Sequence, residues 1–301
     1  MSELKEVLTK DGSITLRSIL FQENFHSLEG AHKETQIKFI NPSDLKRFKD
    51  KSLTVLDICF GLGYNSALLF NSLIKQNSHV NWYALEIDKN PLEYSLGNKL
   101  FQELCHPKVL KIFKSLSQNC KYKDQFFECD ILWGDAREKI NKIPKNIKFD
   151  LIYLDGFSPQ KCPQVWSVEF LEKVTQKLNI HGYLITYSSS AAIRKTLQNL
   201  GLKIFNIKPD LISKNLWSNG TIATKITDPK NIPNSVHFTK LSSMEEEHLL
   251  TKASIPYRDP TLSLEGKDII QKRIQEQLLS NLSTSKKWRQ KWRMTKSTFN
   301  S

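Results

Sequence analysis

The 301-residue sequence lacks the features that mark secreted, metal-binding and membrane proteins. Its five cysteines form no CxxC pair and have no histidines at metal-ligand spacing, and their odd number argues against a disulfide framework. No apolar run approaches the length that spans a bilayer, and the charged N-terminus MSELKEVLTKDGSITL has no apolar signal-peptide core. We therefore expect a cytoplasmic protein with no metal and no membrane contact.

Acidic residues are also scarce relative to basic ones. The chain has 31 Asp and Glu against 44 Lys and Arg, a formal charge of +13. Such a surplus concentrates polyanions near the surface and speeds their capture, so nucleic acid is the expected partner. The alternative is a lysine-rich proteome in which the excess is only solvated surface. The hydrophobic fraction of 39% is sufficient for a sizeable globular core.

Three regions of the chain differ in pattern. Residues 1–45 open with short alternating pieces broken by glycine turns, which predicts a small strand-and-turn extension. Residues 46–228 alternate β-rich runs with amphipathic stretches, which is typical of an α/β fold with a mostly parallel sheet. Residues 229–301 hold a linker, helical segments and a basic tail, KKWRQKWRMTK. The predicted core strands are LTVLDICF, VNWYALEI, DILWGD, FDLIYLD, GYLITYS and GTIATKI.

An acidic residue recurs at the carboxyl ends of these strands, where open α/β sheets place their ligand crevice. In LTVLDICFGLGYNS the strand ends at Asp57. Gly61 and Gly63 then make a tight turn that a ligand can approach closely, and a helix begins near Asn65. In VNWYALEIDKNPL the strand closes at Glu86, whose two carboxylate oxygens suit the two hydroxyls of a ribose.

Two later strand ends repeat this arrangement. In DILWGDAREKI, Gly134 and Asp135 follow the strand, and Asp135 is a candidate acceptor for an adenine amino group, although an ordinary loop explains the pattern equally well. In KFDLIYLDGFSPQKCPQVWS the strand stops abruptly at Asp155, in a turn that faces the crevice. Methyltransferases that act on nitrogen often bind the acceptor at this position. A helix cap or a loop salt bridge is the alternative role of Asp155.

The glycine turn also fits a dinucleotide fingerprint, with Ser66 in place of the third glycine and Glu86 at about the ribose-binding distance. Charge distinguishes the two ligands. The carboxylate of Asp57 would repel the pyrophosphate of a dinucleotide, whereas S-adenosylmethionine brings an ammonium and a sulfonium and no phosphate. The sequence therefore favours S-adenosyl-L-methionine as the cofactor.

The combination of DICFGLGYNS, YALEIDKNPL, WGDAR and above all DGFSPQKCPQVWS resembles the bacterial transfer-RNA methyltransferases that make 5-methylaminomethyluridine at the wobble position. DGSITLRSILFQENFHSLEGAHKE, SSSAAIRKTLQNLGLKI and IPYRDPTLS are similar to further segments of that family, so the resemblance covers nearly the whole chain. Cys162 departs from the asparagine common in the family, and SSSA replaces TSAG. Many relatives are fused to a flavin-dependent oxidoreductase. No second glycine-rich nucleotide turn is present here, so the chain resembles the stand-alone form without FAD.

The resemblance implies a class I, Rossmann-like methyltransferase fold with a mostly parallel seven-stranded sheet, a small N-terminal β extension and a C-terminal helical segment. The implied reaction is N-methylation of 5-aminomethyl(-2-thio)uridine in the anticodon region of tRNA. Residues expected to bind the cofactor are Asp57, Gly61, Gly63, Asn65, Glu86, Gly134, Asp135, Asp155 and, through the family likeness, His26.

Asp155 is the candidate catalytic residue, because a carboxylate near the protonated amine holds it and then accepts or relays its proton. Loss of that proton to water before methyl transfer is also compatible with the sequence. Phe157 and Tyr187 are candidate walls for a flipped uridine, since single-stranded RNA bases are commonly held on aromatic faces, although both are residue types usually found in cores. The basic tail is expected to contact RNA phosphates, and the alternative is a tail that contacts nothing. The candidate residues are Lys286, Lys287, Arg289, Lys291 and Arg293.

Two rival functions remain open from the sequence. A small-molecule amine methyltransferase or an aminopropyltransferase would share the glycine turn and the strand-end acids, but a polyamine acceptor calls for more acids than the +13 balance suggests. A non-catalytic RNA-binding protein with a methyltransferase-like fold is the other rival, and the complete set of strand-end acids speaks against it.

Overall fold

A computed structural model describes residues 4–208, 218–226 and 236–293. The chain divides into two compact units, Met1–Phe157 and Ser158–Ser301. This division falls inside the region 46–228 that the sequence suggested as one core, and the boundaries expected after residues 45 and 228 stay predictions. The second of these boundaries and the last eight residues of the chain, which include the end of the basic tail, lie outside the described residues.

The first unit carries the glycine turn and the four strand-end acids. Short non-α helices lie at Gln36–Ile40, Asn41–Ser43, Leu45–Phe48 and Ile140–Lys142. In chain order, its strands and α-helices are β1 (Leu4–Leu8), β2 (Ile14–Ser18), β3 (Glu23–Asn24), α1 (Ala31–Thr35), β4 (Ser52–Ile58), α2 (Tyr64–Ile74), β5 (His79–Glu86), α3 (Asn90–Gly97), α4 (Lys99–Leu104), α5 (Pro107–Asn119), β6 (Lys121–Lys123), β7 (Phe127–Trp133), α6 (Ala136–Lys139) and β8 (Phe149–Leu154).

The strands of the first unit form two sheets. The small sheet is antiparallel with the order β1-β2-β3, and the larger sheet has the order β8-β4-β5-β7-β6. β4 pairs in parallel with β5 and with β8, and β5 pairs in parallel with β7, whereas β6 runs antiparallel to β7. The register sets Asp57 beside Ala84 and Tyr153, so the carboxyl ends of the four parallel strands lie along one edge.

Apolar spacing accounts for the helices that cover this sheet. α5 begins with Pro107, whose missing N–H costs nothing in the first helical turn. Its fully buried residues are spaced for one helical face. They are Val109, Ile112, Phe113 and Leu116.

The second unit contains antiparallel strands and the C-terminal helices. Two short 3-10 helices lie at Pro163–Trp166 and Lys252–Ser254. The other elements are α7 (Val168–Gln176), β9 (Leu178–Thr186), α8 (Ala191–Asn199), β10 (Lys203–Ile207), β11 (Thr221–Thr224), β12 (Phe238–Lys240), α9 (Ser243–His248), α10 (Gly266–Leu279) and α11 (Ser285–Lys291).

A buried ion pair organises the second unit, whose strands have the order β12-β10-β11-β9 and pair antiparallel. The guanidinium of Arg194 in α8 lies 2.8 Å from the carboxylate of Glu245 in α9, and both side chains are buried. Arg194 also donates to the hydroxyl of Thr221 at 2.9 Å. Because removal of either charge would leave the other buried and unpaired, the pair fixes α9 against α8 and β11.

The structure confirms the expected α/β class and the six predicted core strands, which are β4, β5, β7, β8, β9 and β11. The expected count of seven strands is corrected: among the described residues, the α/β strands number five in the first unit and four in the second. Besides β10, the additions are the edge strands β6 and β12. These have three residues each, too few to show a period of two in the sequence.

Candidate functional site

The turn after β4 has a backbone that only glycine adopts without strain. Gly61 and Gly63 have φ of +55° and +86°, in the left-handed region. A Cβ on Gly63 would lie 2.8 Å from Cζ of Phe60, and a Cβ on Gly61 would lie 3.1 Å from Cδ1 of Phe25. The turn therefore has no room for side chains and leads directly into α2, as the sequence predicted.

Asp57 is fully buried within β4, one residue before the strand ends. The hydroxyl of Ser66 donates to its Oδ2 at 2.6 Å, and the indole of Trp82 donates to that same hydroxyl oxygen at 2.8 Å. Oδ1 has no hydrogen-bond partner among the described residues. Burial raises the pKa of Asp57 to about 7, and the bond from Ser66 opposes this shift.

Asp155 follows β8 directly and is bound to the start of α2. Its backbone N–H donates to the carbonyl of Ile58 at 3.1 Å, and the amide of Asn65 donates to its Oδ2 at 2.7 Å. Burial raises the pKa of Asp155 to about 7, with the nearby charge of Glu34 acting in the same direction and the Asn65 bond opposing it. A carboxyl group with this pKa changes its protonation state around neutral pH, as a proton acceptor at this site would need to do.

Glu86 is the last residue of β5 and holds the glycine turn in place. Its carboxylate accepts from the backbone N–H groups of Gly61 at 2.7 Å, Ile87 at 2.7 Å and Asp88 at 3.0 Å. Burial raises the pKa of Glu86 despite these three bonds. A carboxylate offers about four lone-pair positions, so the bonds leave acceptor capacity for about one ribose hydroxyl, where the sequence suggested two.

Gly134 and Asp135 follow β7, and Asp135 has a structural role there. Gly134 adopts φ of +129° and donates its N–H to the carbonyl of Glu86 at 2.8 Å. The carboxylate of Asp135 caps α6 by accepting from the backbone of Arg137 at 2.8 Å, and it pairs with the guanidinium of Arg137 at 2.6 Å. A contact from Asp135 to adenine stays a prediction.

His26 packs beside the first residue of α2. Its ring lies edge-on to Tyr64 with centroids 5.0 Å apart, and its Nδ1 lies 3.3 Å from the hydroxyl of Thr15. Burial lowers the pKa of His26 to about 4, so the ring is neutral at pH 7. A neutral imidazole can border a pocket for a cation without repelling it.

The two aromatic candidates lie in different units. Phe157, at the end of the first unit, stacks on Phe21 with centroids 4.6 Å apart and meets the edge of Phe25 at 4.9 Å. Tyr187, in the second unit, is half-buried and lies edge-on to Trp166 at 6.1 Å. Phe157 therefore belongs to an aromatic cluster close in sequence to Asp155, whereas a role for Tyr187 at the substrate stays a prediction.

The basic C-terminal stretch is helical in α11, where Lys286 and Lys287 are exposed and Arg289 is half-buried. Arg293 follows the helix and is exposed. Two tryptophans anchor α11 to α9. The indole of Trp288 donates to the carbonyl of Met244 at 3.0 Å, and the indole of Trp292 donates to the carboxylate of Glu247 at 2.9 Å. Lys291 pairs with Glu247 at 2.6 Å.

Sequence reasoning overlooked several residues that support the site. Ser66 entered only as a departure from a dinucleotide fingerprint, and Trp82 entered only as part of a strand, yet together they hold Asp57. Phe21 and Phe25 lie near the N-terminus, and no pattern in the sequence around them links them to Phe157. The sequence feature that could have drawn attention to them is two aromatic residues four positions apart in a region of turns, where large apolar side chains are less expected.

The site's chemistry fits a cationic adenosyl cofactor. Buried oxygens normally have donors, yet the Oδ1 atoms of Asp57 and Asn65 have none within the described part of the chain. Both are acceptors, which suits an ammonium group. In the same part of the chain, no cluster of His, Cys, Asp and Glu is arranged to hold a metal ion. Nor does any helix described there have the length and apolar character to cross a membrane.

Comparison with known families and sequences agrees with this chemistry. Residues 99–215 match the family described as S-adenosyl-L-methionine-dependent methyltransferase. An uncharacterized protein of Methanocaldococcus jannaschii, MJ0670, is 30% identical over 91% of this chain and 73% of its own length. The tRNA 5-methylaminomethyl-2-thiouridine biosynthesis bifunctional protein MnmC of Campylobacter hominis is 28% identical over 65% of this chain.

The chain spans 31% of the length of that bifunctional relative. Among solved structures, the crystal structure of MnmC2 from Aquifex aeolicus superposes with a TM-score of 0.76 at 27% identity. The match covers 93% of this chain and 87% of that one, so the likeness extends well beyond the glycine turn and the strand-end acids.

Proposed function

This chain belongs to the S-adenosyl-L-methionine-dependent methyltransferase family that includes the methyltransferase region of MnmC, and from this we propose that it methylates the exocyclic amine of 5-aminomethyluridine or its 2-thio form in tRNA. The product would be 5-methylaminomethyl(-2-thio)uridine at the wobble position. The chain is thus an enzyme with S-adenosyl-L-methionine as its cofactor, which removes the aminopropyltransferase and the non-catalytic protein as alternatives.

The hydrogen bond between Asn65 and Asp155 is the observation that carries the proposal. It sets a carboxyl group with a pKa of about 7 next to the helix that begins at the glycine turn. An aminomethyl group is mostly protonated in neutral water and has no free lone pair. A carboxylate beside it binds the ammonium and then takes the proton, which releases the nucleophile.

The residues around the turn would bind the cofactor in complementary ways. The acceptor oxygens of Asp57 and Asn65 that have no donor in the described structure suit its ammonium. Glu86 keeps the turn in shape and has acceptor capacity for a ribose hydroxyl. His26, Gly134 and Asp135 would complete the pocket wall, with His26 neutral at the pH of the reaction.

The methyl group bound to the sulfonium of the cofactor is the electrophile in this chemistry. The protein's contribution is to align the amine and to exclude water, and orientation alone supplies much of the acceleration of such displacements. Asn65 holds Asp155 in one position, and Ser66 and Trp82 do the same for Asp57. Fixed carboxylates of this kind need no rearrangement as the proton leaves the amine.

A tRNA substrate is supported by charge and by the relatives. The formal charge of +13 favours a polyanionic partner, since phosphate contacts dominate the affinity of proteins for nucleic acids. The relative from Campylobacter hominis is named for tRNA 5-methylaminomethyl-2-thiouridine biosynthesis. A small-molecule amine would give no reason for this excess of Lys and Arg.

The proposal is tested with tRNA that carries 5-aminomethyl-2-thiouridine and with S-adenosyl-L-methionine labelled in its methyl group. The labelled nucleoside is identified by mass after digestion of the tRNA. We expect label only in 5-methylaminomethyl-2-thiouridine, and none when the same tRNA carries unmodified uridine at that position. Transfer to another nucleoside, or to a free amine but not to tRNA, would show that the substrate is different.

The variant that tests the role of Asp155 is Asp155→Asn, which keeps the size and shape of the side chain and removes its basicity. Its affinity for the cofactor, measured by calorimetry, should stay within a few-fold of that of the wild type, while turnover falls by about 100-fold, the lower end of what a general base contributes. Undiminished turnover would remove Asp155 from the catalytic role and leave the choice of substrate to be decided by the labelling result.

A further inference from the structure

Three phenylalanine rings meet where the first unit ends. Phe21 and Phe157 are stacked with an interplanar angle of 24° and centroids 4.6 Å apart, and Phe25 meets Phe157 edge-on at 70° and 4.9 Å. All three side chains are only half-buried, unlike the phenylalanines of the core. Three partly exposed rings in contact form an apolar surface that a flat ligand can use.

Phe21 lies in a turn, residues 19–22, between β2 and β3. The guanidinium of Arg17 braces this turn by donating to the carbonyl of Gln22 at 3.1 Å. Two large apolar side chains beside Phe21 face solvent, Ile19 at 51% exposure and Leu20 at 74%. The backbone N–H of Phe21 also donates to the hydroxyl of Ser18 at 3.2 Å, so the turn is joined to β2 by local bonds and lies outside the pairing of β2 with β1.

The cluster is close in the chain to Asp155 and also borders the glycine turn. Phe157 comes two residues after Asp155, and the ring of Phe25 packs over Gly61. The sheet order β8-β4-β5-β7 sets Asp155 and Phe157, which follow β8, on the opposite side of β4 from Glu86 on β5 and Asp135 after β7. An aromatic surface on the β8 side is thus available to the methyl acceptor.

We propose that Phe21 and Phe157 are the two faces of a clamp that holds the target pyrimidine base of single-stranded RNA, with Phe25 as its fixed edge. This inference rests on the proposed function and identifies how the substrate is positioned. Aromatic side chains stack on unpaired bases whatever their sequence, because every base has a π-face.

The observed stack leaves no space for a base. Two contacts of about 3.5 Å require about 7 Å between the outer rings, so the turn that carries Phe21 has to move outward by roughly 2.5 Å. In the structure Phe21 thus takes the place of the base, covering the face of Phe157 from water. When the base enters, Phe157 stacks on the base instead of on Phe21. Because one stacking contact replaces another, the free energy needed to separate the two rings stays small.

The clamp is tested with an anticodon stem-loop RNA that carries 5-aminomethyluridine and with the same RNA lacking that base. Wild type should bind the base-bearing RNA about 10- to 100-fold more tightly than the abasic RNA, the range expected when a base is stacked on an aromatic ring. Phe21→Leu should lose most of this difference and raise the KM for RNA, whereas Phe21→Tyr should keep both. Leu20→Ala, in the same turn, is the matched control and should behave as wild type.

Cofactor affinity and thermal stability are measured for each variant, because a merely structural role of Phe21 would alter them without altering the base-dependence of binding. Phe21→Trp provides a second readout: its additional fluorescence, relative to wild type, should be quenched by base-bearing RNA and not by abasic RNA. A wild-type base preference in Phe21→Leu, or equal quenching by both RNAs, would overturn the clamp. Absence of methylation by the wild type would instead refute the proposed function.

Discussion

Asn65 and Asp155, ninety positions apart in the chain, are joined by a hydrogen bond of 2.7 Å. Asn65 lies in the first turn of α2, immediately after the glycine turn, and Asp155 lies immediately after β8. One bond therefore couples the helix start proposed to receive the cofactor to the carboxylate proposed to receive the amine. Changes on either side of this bond should alter both the geometry and the protonation of the site.

Methyl transfer should depend on the ionisation of Asp155. Its pKa is raised to about 7, and only the ionised form accepts a proton, so the single-turnover rate should rise with pH through this region. The Asn65 bond lowers the pKa, so Asn65→Ala should move the midpoint to higher pH. Rates measured from pH 5.5 to 9 with saturating cofactor check this. The same midpoint in both proteins would show that the titration belongs to another group, such as the substrate amine.

Asp57 should reduce the stability of the cofactor-free protein at neutral and higher pH. Its pKa is about 7 when folded and 3.8 ordinarily, so its contribution to stability is present below pH 3.8 and is lost as the pH rises through 7. Asp57→Asn removes this loss and should raise the Tm at pH 8 by at least about 2 °C while weakening cofactor binding. Thermal unfolding at pH 5 and pH 8, with calorimetry of cofactor binding, measures both. Unchanged cofactor affinity would mean that Asp57 lies outside the cofactor site.

Glu86→Gln should lower stability where Asp57→Asn raises it, because the backbone hydrogen bonds of Glu86 outweigh the cost of ionising a carboxyl group whose pKa is raised by burial. The carboxylate of Glu86 accepts three backbone N–H bonds, and Gln offers a single oxygen, so Glu86→Gln leaves at least one donor of the turn without its partner. A buried donor without an acceptor costs about 1–3 kcal/mol, so the Tm should fall together with cofactor affinity. The pair of variants at Asp57 and Glu86 thus separates a ligand-binding acid from one that also holds the fold. An unaltered Tm would contradict the structural role of Glu86.

The exposed lysines of α11 should contribute to tRNA binding. Removal of residues after 284 would also remove the buried Trp288, so the variant to test is Lys286→Ala with Lys287→Ala. We expect weaker tRNA binding and a salt dependence lower by about 0.7 to 0.9 per lost phosphate contact. The control is Lys111→Ala with Lys114→Ala, which removes the same charge from the exposed face of α5. Equal effects of both pairs would indicate a general charge effect rather than a binding surface.

Much of the fold could be predicted because its signals are local. The apolar runs that end at Asp57, Glu86 and Asp155 are strands in the structure, and each acid lies within one residue of the strand's end. The glycine turn was visible because positive φ at Gly61 and Gly63 requires that residue type. Edge strands of three residues were not visible, since a pattern with a period of two needs more positions.

Roles of individual side chains were harder to predict. Asp135 has the sequence context of a ligand-binding acid, yet its carboxylate caps α6 and pairs with Arg137. The basic stretch was expected either to contact phosphates or to touch nothing, yet its tryptophans Trp288 and Trp292 anchor α11 to α9. In both cases the decisive partner is set by the folded backbone, which composition and spacing do not describe.

The sequence by itself determined the order of strands and helices, the position of the turn and the acids at the strand ends, because periodicity, glycine and charge act between neighbours in the chain. Only the tertiary structure decided that Ser66 and Trp82 hold Asp57, that Asn65 meets Asp155 and that Phe21 covers Phe157. These contacts join residues that are distant in the chain. They come together only when the burial of apolar surface brings the strands of the sheet side by side.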